Sequence, residues 1–178
     1  MNLNRLGLLL GPTVALCAHS EVYMTEDQAV QVLFPSHSGP RAKLKKKAFS
    51  LSKEEAKKIE KLSGETVRSH ALTLWKSDQN NVVYIDQVLG KHEMITYAIG
   101  IDEKDQVVGV EIIEYRESYG HQIRRPEWRK QFIGKNKDSE LKLDKDITNI
   151  SGATLSSAHI TAGVKRILKT HDEIKKRI

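Results

Sequence analysis

Seven consecutive residues, Ser151-Gly152-Ala153-Thr154-Leu155-Ser156-Ser157, concentrate the chemistry of this 178-residue chain. They stand where a loop enters the last helix-patterned segment. The first turn of any helix has backbone N–H groups without intrahelical partners, and its dipole end is positive. A phosphate seated there gains hydrogen bonds and favourable charge, so the segment suits an anion. Gly152 and Ala153 let a bulky ligand approach the backbone, with Leu155 beside them. Thr154, Ser156 and Ser157 add three hydroxyls, as phosphate donors or, for one of them, as a point of covalent attachment. On these residues alone an ordinary helix cap is the favoured reading. The histidines outside the loop at His121 (His37, His70, His92, His159 and His171) show no ligand spacing, so no metal is assigned. No catalytic residue is assigned either, and no Gly-rich turn of the nicotinamide-binding type is visible.

The bulk of the sequence narrows what such a site can serve. Hydrophobic residues make up 39% and charged residues 29%, a soluble globular balance, with room for one domain with a real core. The net charge of +6 owes much to Arg41, Lys43, Lys45, Lys46 and Lys47. Only Phe49 lies near them, whereas a nucleic-acid binder interleaves aromatics with its charges, so no nucleic-acid partner is expected. A solvated basic loop is the plain reading, with steering toward an acidic protein or peripheral membrane contact as the alternative. Met1–Arg5 followed by the apolar run Leu6–Cys17 reads as an export signal, too short to span a membrane, with cleavage expected after Ser20. Lipid anchoring at Cys17 is the competing reading, disfavoured by the bulky Leu16. Cys17 is the only cysteine. A chain cleaved after Ser20 has no thiol for a disulfide, an iron–sulfur centre or a haem thioether. The expected location is periplasmic or otherwise extracytoplasmic.

Several elements must position the motif. Thr25-Glu26-Asp27-Gln28 and Ser52 to Glu55 are capping boxes. They predict helices through Leu33 and to about Leu62, the second with a buried stripe at Ala56, Ile59 and Leu62 and a stop at Ser63-Gly64. Residues 35–50 read as a surface connection. Strand periodicity predicts strands over 67–76, 82–89, 94–101 and 106–115, the last two a hairpin turned at Asp102 to Asp105. The fourth strand is apolar on both faces, which suggests a central position. Pro126 opens a short helix with Trp128 and Phe132 on one face, Trp75 reads as sheet core, 138–146 is a loop, and the final helix runs from Thr154 to Lys169. The expected fold is α+β: an antiparallel sheet of about four or more strands flanked by helices, with a closing C-terminal helix. The expected parts are a signal peptide at 1–20, a helical segment at 21–66 and the site-bearing domain at 67–178.

The Ser151–Ser157 segment resembles the signature of the FMN-binding domain family, which includes flavin-carrying subunits of the sodium-translocating NADH:quinone reductase and Rnf complexes and small periplasmic flavoproteins. Glu114-Tyr115-Arg116-Glu117-Ser118-Tyr119-Gly120-His121 resembles that family's strand-end loop along the flavin ring. Trp128 to Gly134 resembles the short helix after it, and Lys91 following Gly90 fits its spacing. The resemblance covers about residues 67–170. It implies FMN as cofactor, esterified through its phosphate to Thr154 by a separate flavin transferase acting on FAD. Ser151 to Ala153, Ser156 and Ser157 would cradle the phosphate, and Glu117, Ser118, Gly120, His121, Lys91 and Trp128 would lie near the flavin. One departure stands out: the transferase motif has an acid six positions before its threonine, and Thr148 occupies that place, with Asp146 two residues upstream. The resemblance implies an electron carrier, not an enzyme in its own right, passing electrons between membrane or periplasmic redox partners. The alternative is an exported binding or sensory module that holds FMN reversibly or not at all.

Overall fold

The computed structural model describes residues 21–35, 44–117 and 119–178. The export-signal segment with Cys17, the basic residues Arg41 and Lys43, and Ser118 lie outside the described residues. The chain forms β1 (Glu21–Val22), α1 (Glu26–Leu33), β2 (Lys45–Ser50), α2 (Lys53–Ser63), β3 (Ala71–Lys76), β4 (Val82–Leu89), β5 (Met94–Ile101) and β6 (Val107–Tyr115). A 3-10 turn at His121–Arg124, the short α3 (Pro126–Arg129), a second 3-10 turn at Lys130–Phe132 and α4 (Thr154–Ile174) complete it. The strands make one antiparallel sheet in the order β1-β6-β5-β4-β3-β2. The fold is α+β with a closing C-terminal helix, as the sequence predicts.

Strand alternation sends side chains to two separate cores. On one face Ile95, Tyr97, Ile99 and Ile101 of β5 meet Ile160, Val164 and Ile167 of α4, with Ile59 of α2 and Phe132 added at the sides. On the other, Ala98, Val83 and Trp75 meet Ala29, Val30 and Leu33 of α1. Both capping boxes form: Thr25 accepts from the Gln28 amide and Ser52 from the Glu55 amide, each answered by the reciprocal side chain. Gly64 ends α2 in the left-handed region, φ 76°, where a Cβ is costly.

Five expectations need correction. Residues 45–50 are a strand, not a surface connection. Its lysines are exposed and only Phe49 is half-buried, so it shows no buried face to read, while the charges blunt a sheet edge. β3 begins at Ala71 rather than 67, because its ladder with β4 stops at Thr73↔Ile85 and Arg166 of α4 enters the gap. The Arg166 guanidinium donates to the Thr66 carbonyl (3.1 Å) and the Asp86 carboxylate (2.6 Å). β6 is not central: its outer side pairs only with the two-residue β1, and its two-sided burial comes from packing against both cores. The stripe of α2 is Ala56, Ile59 and Ser63, while Leu62 is 48% exposed. α4 continues to Ile174, one more turn than expected, carrying buried His171 and Ile174.

That extra turn pins the helix. His171 Nδ1 shares a hydrogen bond with the Tyr84 hydroxyl (2.9 Å), and its Nε2 meets Asp105 (3.1 Å), the residue at φ 61° in the β5–β6 turn. Lys175 reaches the same carboxylate at 2.6 Å. Burial, opposed by the Asp105 charge, holds the His171 imidazole below the ordinary histidine value of 6.5. The unfolded chain therefore binds a proton that the folded chain refuses, and stability falls as pH drops below about 6.5. The slope from this residue is at most about 1.4 kcal/mol per pH unit. Denaturant titrations at several pH values should show that His171→Gln loses this slope while keeping the fold.

Candidate cofactor site

The start of α4 differs from those of the two capped helices. Its N-cap is Ala153, at φ −132° and ψ 24°, and no side chain caps it. The first helical bond runs from the Ser157 amide to the Ala153 carbonyl (2.9 Å). The amides of Thr154, Leu155 and Ser156 have no intrahelical carbonyl to reach. Gly152 makes the approach at φ 82°, and nothing lies within 4 Å of where a Cβ would stand, so the backbone there is open to a ligand.

This helix end faces a cavity of about 390 Å³, within the usual range of small-molecule sites. Gly152 to Ser156 form one wall; Lys91, His92, Glu117 and Tyr119 form the others. The fold thus brings together the C-terminal helix, the β4–β5 turn and the loop after β6, which are far apart in sequence. A cleft of about 440 Å³ also opens where β3 leaves β4. There Asp86 and Arg166 satisfy each other, and Arg166 lies about 18 Å along α4 from Thr154 at 1.5 Å per residue.

Hydrogen-bond polarity separates the three hydroxyls. Ser157 is buried, with its hydroxyl among the Ala153 carbonyl (3.0 Å), the Thr154 carbonyl (3.1 Å) and Asn149 Oδ1 (3.1 Å). Its role is to hold the helix start and the preceding loop together. The Tyr115 hydroxyl donates to the Tyr119 carbonyl, which can only accept. Tyr115 has one proton, so in its 2.9 Å bond with Ser156 the serine is the donor. Ser156 therefore offers the cavity lone pairs and not a proton. Thr154 is exposed, and its hydroxyl forms no hydrogen bond among the described residues. Of the three, Thr154 alone is free to react or to donate.

The remaining candidates divide clearly. Lys91 lines the cavity, and Leu155 does so while 48% exposed. Ser151 is exposed just before the helix start. Glu117 lines the cavity, but its carboxylate is bound to the β4–β5 turn, accepting from the amides of His92 (2.5 Å) and Glu93 (3.0 Å). Burial would raise this carboxyl, yet the amides of Glu93, His92 and Lys91 outweigh it and hold it below the ordinary glutamate value. Gly90 allows the approach, since a Cβ there would stand 2.6 Å from Glu117 Oε1. Gly120, at φ 97°, is packed against Tyr115 and Ser156, and exposed His121 lies against the Tyr115 ring at 5.2 Å. Neither lines the cavity.

Trp128 is core, edge-on to Phe132 at 5.1 Å, and its indole N–H donates to the Thr148 carbonyl (2.8 Å). With Gln131 accepting from the Thr148 amide (2.7 Å), α3 and the turn after it brace the strand of chain leading into the motif. Asp146 is occupied by Lys135 (2.9 Å) and the amides of Leu141 and Lys142, closing its own loop. His92 and Tyr119 were not among the residues singled out from sequence. Tyr119 stood inside the Glu114–His121 segment, but nothing in a sequence distinguishes a ring aimed at a cavity from one in a core. Among the described residues no cluster suited to a metal ion occurs. Glu117→Ala should speed hydrogen exchange of the His92 and Glu93 amides and lower stability by about 1–3 kcal/mol, the usual loss when charged acceptors are removed from hydrogen bonds. Amide exchange followed by NMR measures both.

Comparison with known proteins agrees with this geometry. Residues 90–169 match the family model of the FMN-binding domain, a span that runs from the β4–β5 turn through the loop after β6 to most of α4. No curated protein matches. Among solved structures, the chain is similar to one of the subunits of the Na(+)-translocating NADH-quinone reductase from Parabacteroides distasonis, at 16% identity and a TM-score of 0.49, covering 73% of this chain and 77% of that one. The uncapped helix end, the open glycine and the cavity they share fit a ligand with a phosphate tail, and the match of residues 90–169 to the FMN-binding domain supports FMN as that ligand.

Proposed function

We propose that this protein is an exported electron carrier whose FMN is esterified through its phosphate to Thr154. The observation that carries the reading is the N-terminus of α4: three amides without helical partners open onto a cavity, and of the three hydroxyls in the helix's first turn only that of Thr154 is unengaged among the described residues. The amides of Thr154, Leu155 and Ser156 would hold the phosphate, with Lys91 adding positive charge across the cavity. Glu117 would act on the site through the turn it fixes. When bound, the flavin supplies one- and two-electron transfer, while the protein supplies position, electrostatics and exclusion of water.

Attachment requires a partner enzyme, a flavin transferase. Thr154 Oγ would lose its proton and bond to the FMN-side phosphorus of FAD, while the phosphoanhydride bond breaks and AMP leaves with the other phosphate. An ester suits a chain expected to leave the cytoplasm, where a dissociating cofactor would be lost. The apolar N-terminal run supports export, and the donors and acceptors would be membrane or periplasmic redox proteins. Among the described residues no helix is long and apolar enough to cross a membrane.

A second reading rests on Thr148. No acid stands six positions before Thr154, and Asp146 is engaged in its own loop, so a transferase lacks the usual carboxylate there. In that case the same helix end holds FMN reversibly. Intact mass of the protein co-expressed with a flavin transferase decides between them. We expect an increment of one FMN less one water on the native chain and none on Thr154→Val. An increment retained in the variant would place the ester elsewhere, and colour released by denaturant without an increment would leave reversible binding.

A further inference from the structure

Of the tyrosines in the described structure, Tyr84, Tyr97 and Tyr115 are fully buried and hydrogen-bonded. Tyr119 is the opposite. It is 84% exposed, and its side chain makes no hydrogen bond or ring contact among the described residues, although it lines the cavity at the helix start. An exposed aromatic on a loose loop would carry no message, but the backbone here is held from two sides. The Tyr119 carbonyl accepts from the Tyr115 hydroxyl, which in turn accepts from Ser156 in the first turn of α4. Gly120 follows at φ 97°, and a Cβ at that position would overlap the Tyr115 hydroxyl and crowd Ser156 Oγ at 3.0 Å. The loop is thereby latched to the helix end that faces the phosphate site, while its one large ring is left without a partner among the described residues.

We infer that Tyr119 is the aromatic wall of the FMN site, its ring packing on the face of the isoalloxazine, and that Tyr115 is the positioning residue that sets it there. The inference rests on the FMN reading above and goes beyond it by assigning the ring contact. A planar aromatic ligand supplies the missing partner, since offset stacking is the favoured arrangement of two π-systems. The latch fixes the loop before the ligand arrives, so little conformational freedom is lost on contact. Ser156, spent as a donor to Tyr115, ties the ring wall and the phosphate end to the same helical turn.

A phenol in face contact with a flavin quenches its emission, which gives a readout independent of electron-transfer activity. The FMN-loaded full chain is compared with Tyr119→Ala, Tyr119→Phe and Tyr115→Phe, with flavin absorbance fixing the FMN content of each. We expect Tyr119→Ala to emit severalfold more strongly per bound FMN, and Tyr119→Phe, which keeps the ring but is a weaker electron donor, to fall between the two. Tyr115→Phe keeps its own ring and loses the latch, so its emission should rise and its decay should spread over several lifetimes. Equal emission from the native protein and Tyr119→Ala at equal FMN content overturns the stacking assignment. Unchanged decay in Tyr115→Phe overturns the positioning role alone. Failure of the FMN reading looks different: no flavin absorbance in the native chain.

Discussion

Everything near the site depends on three amide groups at the start of α4 that no described residue satisfies. The contrast lies within one molecule. Thr25 and Ser52 close α1 and α2 with reciprocal side-chain bonds, whereas Ala153 at the corresponding place in α4 has no side chain able to accept. Amides left bare in a space that excludes water cost about 1–3 kcal/mol each, so the arrangement is stable only if water or an anion reaches them. The open glycine before the helix keeps that access. What a capping side chain would have done for stability is left for a ligand to do.

An unsatisfied helix end is useful only if it is held still, and the rest of α4 does that. Gly163 lets the helix ride directly on β4 and β5, since a Cβ there would overlap the Tyr97 hydroxyl and Val88. Arg166 anchors the middle by occupying the gap between β3 and β4, and it shares Asp86 with Tyr97. His171 and Lys175 fasten the far end to Asp105. At the near end, Ser157 ties the first turn to Asn149, and Trp128 and Gln131 grip both backbone groups of Thr148. Ser156, Arg166 and His171, buried polar residues of α4, are therefore spaced along its length as fixings, each with a partner in the sheet or its turns. A helix of 21 residues clamped at this many points transmits little motion to its first turn.

Much of this was legible in the sequence, and the parts that were not share a cause. Local signals were read correctly: both capping boxes, the β5–β6 hairpin and the placement of the hydroxyl-rich motif at a helix start. β2 was missed because three exposed lysines carry no periodic burial, and the strand exists only through its pairing with β3. The late start of β3 follows from Arg166, about a hundred residues away in the chain, which no window around residue 67 contains. In the site, Thr154 and its neighbours could be named from sequence because helix-end chemistry is local. His92, the turn-binding role of Glu117 and the exposure of Tyr119 depend on where three distant segments meet. Gly120, His121 and Trp128 belong to the right segments but support the wall from behind.

Proton direction separates residues that the motif makes look alike. Thr154, Ser156 and Ser157 have the same functional group within four positions, and sequence treats them as interchangeable donors. The Tyr119 carbonyl, which has no proton to give, forces Tyr115 to donate to it and so forces Ser156 to donate to Tyr115. Ser157 spends its single proton among the Asn149, Ala153 and Thr154 oxygens around the helix start. One residue is left with both a free proton and a nucleophilic oxygen at the cavity. That selection of Thr154 follows from the bonding demands of its neighbours alone, so it holds whether FMN is held by an ester there or only by the amides beside it.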